Sequence, residues 1–148
     1  MYGNGIGAYQ QTGVLTADPK RLVLMCYEEA IRNLNIAKDR LISRDYAEKT
    51  KALQKVHNII FTLNSALDFK NGGNIAPNLR ALYNYMTTSL LKADLKKDLS
   101  AMDHIIWMLS ELKSAWEEIL NGQRKEMNTR LRYIADQGKE TFRKELRL

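Results

Sequence analysis

Few residues in this chain could do chemistry: two histidines, one cysteine and a scatter of carboxylates. A di-metal centre in a helical bundle draws on Glu-x-x-His pairs, which bring oxygen and nitrogen ligands to one helix face. Three residues before His57 and His104 stand Gln54 and Ala101, so that ligand set is missing. A phosphotransfer histidine must be exposed and nucleophilic. The surroundings here, His57-Asn58-Ile59-Ile60-Phe61 and His104-Ile105-Ile106-Trp107, read as helix-surface or boundary positions. Asp103-His104 has no serine or cysteine partner in a recognisable motif, which removes a hydrolase triad. Gly3-x-Gly5-x-Gly7 follows no strand and cannot be a dinucleotide loop. Cys26 falls in an apolar stripe, where a thiol behaves as a small buried hydrophobe. The residues predict no enzyme, no cofactor and no metal.

The elements that position these residues are helices, read from apolar spacing. The first begins near Pro19, capped by Asp18 or Thr16, and runs to about Ser43 with Leu22, Cys26, Ala30, Leu34, Ala37 and Leu41 on one stripe. The second runs from about Asp45 to Ala66, with Tyr46, Thr50, Leu53, Val56 or His57, Ile60, Leu63 and Leu67 facing inward. Asp68-Phe69-Lys70-Asn71-Gly72-Gly73 then breaks the pattern with paired glycines. Asn74 stands at an N-cap position and Pro77 falls in the first turn of the next helix. That third helix, Ile75 to Ala93, carries two stripes: Ile75, Leu79, Leu82, Met86 and Ala93, and beside them Tyr83, Thr87 and Leu90. It has more apolar surface than one neighbour needs. The fourth helix, Asp98 to Leu120, shows a heptad-like seam from Leu99 through Met102, Ile105, Ile106, Leu109, Leu112 and Trp116 to Ile119.

Four helices with short connections predict an all-α fold, an antiparallel up-down four-helix bundle over 18–120. Residues 1–17 read as a mobile N-terminal arm, because the glycines at 3, 5 and 7 make ordering costly. Ile6, Tyr9, Val14 and Leu15 would let the arm dock on the bundle or pack as a simple segment. Asn121-Gly122 stops the fourth helix. In the extension 121–148, Met127, Leu131, Ile134, Gly138, Phe142 and Leu146 have the spacing of a fifth helix in a basic context; packing back on the bundle or occupying a groove is the favoured reading, with contact to another chain and disorder as the alternatives.

The chain has 148 residues, 45% hydrophobic and 27% charged, and no apolar run nears the roughly 20 residues of a membrane span. Tyr2-Gly3-Asn4-Gly5 is no signal peptide, and a lone cysteine suits a reducing compartment, so a cytoplasmic protein without membrane insertion is expected. The net charge of +6 is uneven. Residues 121–148 hold eight Lys/Arg against four Asp/Glu, leaving only +2 on the rest. A nucleic-acid surface needs clustered basic residues on one face, and the bundle lacks them.

Several stretches are specific in order and spacing: AYQQT at Ala8 to Thr12, Leu15-Thr16-Ala17-Asp18-Pro19, Leu67-Asp68 before Gly72-Gly73-x-Ile75-Ala76-x-Asn78-Leu79, Leu82-Tyr83-x-Tyr85-Met86, and Ala93-x4-Asp98. Over roughly residues 6 to 120 the chain resembles the flagellin-specific export chaperones of the FliS family. The resemblance implies a stoichiometric chaperone that holds the C-terminal segment of flagellin, blocks premature polymerisation and hands the subunit to the flagellar export gate. It also implies an N-terminal arm that lies on the binding surface until the client arrives. The extension after the fourth helix departs from the family pattern.

The apolar surplus fits such a role, since a groove between helices takes an amphipathic partner helix. Ile6, Tyr9, Leu15, Leu67, Leu79, Leu82, Tyr83, Met86 and Leu90 are the expected client-binding region. Two other readings use the same features: a homo-oligomeric structural or adaptor bundle, homodimeric through the surplus face, and a basic helical nucleic-acid-binding protein driven by the tail.

Overall fold

The computed structural model describes residues 19–122 and 127–137. Ile6, Tyr9 and Leu15, the rest of the arm and Gly138, Phe142 and Leu146 lie outside the described residues. Among the described residues five helices follow in order: α1 Pro19–Ile42, α2 Tyr46–Ser65, α3 Ile75–Lys96, α4 Leu99–Leu120 and α5 Met127–Gln137. Each of the first four ends within a few residues of its expected boundary, because local chemistry sets the boundaries. The Asp45 carboxylate accepts from the Glu48 N–H and that of Asp98 from the Ala101 N–H, each occupying one orphan donor of a helix start. Between α3 and α4, Lys97 turns the chain in a left-handed conformation, and Gly122 does so after α4.

Helix α1 packs on α2 and α4, and α3 packs on the same two, closing a four-membered ring. Connections of a few residues make successive helices antiparallel. The stripes expected on α1 and α4 meet inside. Leu22, Cys26, Ala30, Leu34, Ala37 and Leu41 are all buried, as are Met102, Ile105, Leu109 and Leu112. The core continues through Leu53, Val56, Ile60 and Leu63 of α2 and Leu82, Met86 and Leu90 of α3. Lys38 pairs with Asp103 and Lys49 with Asp94, tying α1 to α4 and α2 to α3. Among the described residues no helix is long and apolar enough to cross a membrane.

Two expectations are corrected and one open alternative is resolved. Tyr46 and Thr50 face outward. The Tyr46 ring meets the Lys97 ammonium instead, 4.9 Å from its centroid. Of Val56 and His57, it is Val56 that enters the core, with His57 at its edge. Asn74 holds the N-cap position of α3, but its side chain makes no cap hydrogen bond.

The fifth helix forms and packs against α3 and α4. Met127, Leu131, Ile134 and Ala135, on one face, are all buried. Helix α5 thus gives α3 a third helical neighbour, met through the Asn78–Asn128 contact.

Candidate functional site

The site grows out of the turn between α2 and α3. The Asp68 carboxylate accepts backbone N–H bonds from Lys70 and Asn71, both at 3.1 Å, and takes the Asn71 amide at 2.9 Å. The bond from the Asn71 side chain is the largest cause holding the Asp68 carboxyl below its usual range. Gly72 then passes so close beneath that a Cβ would lie 2.5 Å from the Asp68 carbonyl oxygen. Gly73 has φ +52, where glycine avoids the strain of a side chain. This tight curl makes one rim of an apolar pocket of about 240 Å³.

Leu22, Val23 and Cys26 of α1 form one wall, Thr62 and Leu63 of α2 with the capping residue Ala66 another, and Ile75, Ala76, Leu79 and Tyr83 of α3 a third. Trp116 of α4 completes the lining. Beneath lies a small polar network in an otherwise apolar setting: the Tyr27 and Tyr83 hydroxyls meet at 2.7 Å, and the Trp116 indole N–H donates to Tyr27 at 2.9 Å. Both tyrosines are fully buried, so these bonds satisfy groups that would otherwise be stranded.

The electrostatics are those of an apolar receptor with one carboxylate, Asp68, at its rim. Burial pushes the Cys26 thiol up to about 11. Burial likewise raises both phenols above their ordinary value. At neutral pH the pocket walls therefore offer no thiolate and no phenolate. Elsewhere, burial lowers the pKa of His57, partly opposed by Asp94, and His104 stacks on Trp107 at 5.7 Å between centroids. Among the described residues no group of three His, Cys, Asp or Glu could hold a metal. The arrangement can bind an apolar side chain by removing it from water.

Of the residues singled out in the sequence, Leu67, Leu79 and Tyr83 come together in this pocket. Leu82, Met86 and Leu90 do not. Each is 0% exposed, because the stripe that opens into the pocket at Ile75 and Leu79 continues into the closed bundle interior. The α1 wall and Trp116 were not among the expected client residues. They lie far from the turn in sequence, and their stripes read simply as core. Asp68, Gly72, Ile75 and Ala76 carried a signal, since they belong to the most specific motif in the chain.

A helical bundle with an apolar pocket at one end and a carboxylate on its rim has the form of a binding protein. The family model described as flagellar protein FliS matches residues 2–123, and the chain belongs to that family. It is 38% identical over 125 residues to the flagellar secretion chaperone FliS of Salmonella typhimurium, covering 80% of this chain and 93% of that one. It is 35% identical over 103 residues to the flagellar secretion chaperone of Vibrio cholerae, covering 70% and 76% of the two chains. With the Bacillus subtilis chaperone the identity is 29% over 123 residues, covering 83% and 91%.

Proposed function

We propose that this chain is a cytoplasmic flagellar secretion chaperone that holds the C-terminal segment of flagellin before export. The observation that carries the reading is the pocket itself, whose rim is built by Leu67, Asp68, Gly72, Ile75, Ala76 and Leu79, the stretch on which the family resemblance is most specific. Its walls suit apolar side chains of a disordered client. Holding them would keep that client from pairing with other copies of itself, a task that needs neither nucleotide nor metal. The expected arm, with Ile6, Tyr9 and Leu15, would cover the same end of the bundle until the client displaces it, since α1 begins at the pocket wall.

The pocket supplies an anchor rather than the whole affinity. It has room for one or two large side chains, each contributing roughly 1.5–3 kcal/mol. Micromolar binding requires about 8 kcal/mol net of association costs. The client must therefore run on across further surface. Transfer to the export gate, and any homodimer, would use other faces, where Leu91 and Leu95 stand 55% and 86% exposed.

Titration calorimetry of the full chain with a peptide covering the C-terminal segment of flagellin tests the reading. The expected result is one-to-one binding with a negative heat-capacity change, the mark of apolar burial. Absence of binding would overturn it.

A further inference from the structure

The affinity left over by the pocket directs attention to the other side of α3, where α5 lies. Asn78 and Leu79 are adjacent in sequence and so point about 100° apart around the helix. Leu79 faces the pocket, whereas the Asn78 amide reaches Asn128 of α5 at 3.3 Å. The seat of α5 thus adjoins the pocket around the first turns of α3. On α4 the same seat presents Trp107, whose ring lies 5.8 Å from that of Tyr133, and Glu111 and Glu118, which both accept from Arg130, at 3.0 and 2.6 Å. Met127, Arg130, Leu131 and Ile134 stand at i, i+3, i+4 and i+7, the pattern of an amphipathic helix laid in a groove.

Two observations mark α5 as an occupant of this groove rather than a part the bundle requires. The family match stops at residue 123, before α5 begins, and the Salmonella and Bacillus relatives are covered over 93% and 91% of their length without needing all of this chain. In addition, α5 leaves the seat incompletely satisfied: Glu118 Oε2 is buried with no hydrogen-bond partner among the described residues.

We propose that the α3–α4 groove is a second docking surface for the client, which takes an amphipathic client helix with apolar anchors at i, i+4 and i+7 and a cation facing Glu111 and Glu118, in place of α5. This rests on the chaperone reading above. The client then spans the pocket and the groove as one continuous track around α3. Helix α5 is its competitor in cis, tethered through 123–126 and so present at an effective concentration of about millimolar or more. Opening this seat adds the apolar contacts that one small pocket lacks.

The test uses the full chain in three forms: unchanged, Arg130→Glu, and Asn78→Cys with Asn128→Cys, oxidised to pin α5 in place. The flagellin peptide should bind the Arg130→Glu form at least about tenfold more tightly than the unchanged chain and the pinned form at least about tenfold more weakly, the directions that a competitor held in cis imposes. Reduction should restore the pinned form. Hydrogen exchange over 127–137 should accelerate when the unchanged chain is saturated with peptide. If the peptide binds while 127–137 stays protected and pinning has no effect, the groove proposal is overturned and the chaperone reading stands. If no form binds, the chaperone reading itself fails. Should Arg130→Glu fail to fold, the pinned form and the exchange measurement decide alone. If releasing α5 only makes the chain dimerise, the seat serves a second copy and the proposal fails.

Discussion

The pocket and the α5 seat flank the same helix but are built by opposite means. The pocket is open, walled by apolar side chains from four helices and a turn, with the Tyr27, Tyr83 and Trp116 polar groups paired among themselves beneath. The seat is filled, and charged residues direct what fills it: Arg130 bridges two glutamates and an asparagine pair sits near its end. Apolar walls take many side chains of suitable volume, whereas placed charges discriminate among partners. A single helix can thus combine a permissive anchor with a selective groove, provided its other stripe is committed to the core.

The core stripe of α3 offers the largest effect and sets the scale for both regions. Met86→Asp places a carboxylate where the side chain is 0% exposed and unpaired, and should cost about 4 kcal/mol or more. Loss of the cooperative thermal transition in circular dichroism would register it. If Met86→Asp instead folds normally and loses client binding, the division between core stripe and pocket is misplaced. Ile75→Asp, at the partly buried rim, should separate binding from folding. The client's affinity is expected to fall at least about 100-fold, equivalent to about 2.7 kcal/mol, with the melting temperature nearly unchanged. A matching loss of stability would make Ile75 a core residue and shrink the pocket.

Tyr27→Phe probes the polar network beneath the pocket. It leaves the Trp116 N–H and the Tyr83 hydroxyl without their shared partner and should destabilise the fold by about 1–3 kcal/mol, read from urea unfolding. The equivalent strain on the seat, Asn128→Ala, breaks one part-buried contact between helices and should cost about 1 kcal/mol or less.

The smallest effect at neutral pH belongs to Cys26. Its folded pKa is raised, so the thiol's contribution is fully present below the unfolded value near 9.0 and is lost as pH rises through the folded value near 11. Stability should be flat across neutral pH on this account and decline between those limits, and Cys26→Ala should remove that part of the decline. Thiol labelling at pH 7.5 should be slow and slower still with client bound, which would place the client over the pocket rather than on the seat alone.

The sequence by itself determined the helices, their order and the turn that makes the pocket rim. These depend on neighbours within a few residues: apolar periodicity, Asp45 and Asp98 at the caps, and Gly72 and Gly73 where a side chain would clash or strain the backbone. The same local motif was enough to point to the family. Only the tertiary structure decided which apolar residues of α3 are available. Leu79, Leu82 and Met86 share one stripe, yet the first lines a pocket and the others are sealed in the core, because the helices around them close farther along. Tertiary structure also brought Trp116 to a wall made largely by the first three helices and set α5 against α3 and α4. Helical spacing states which residues share a face, but what covers that face depends on segments distant in sequence.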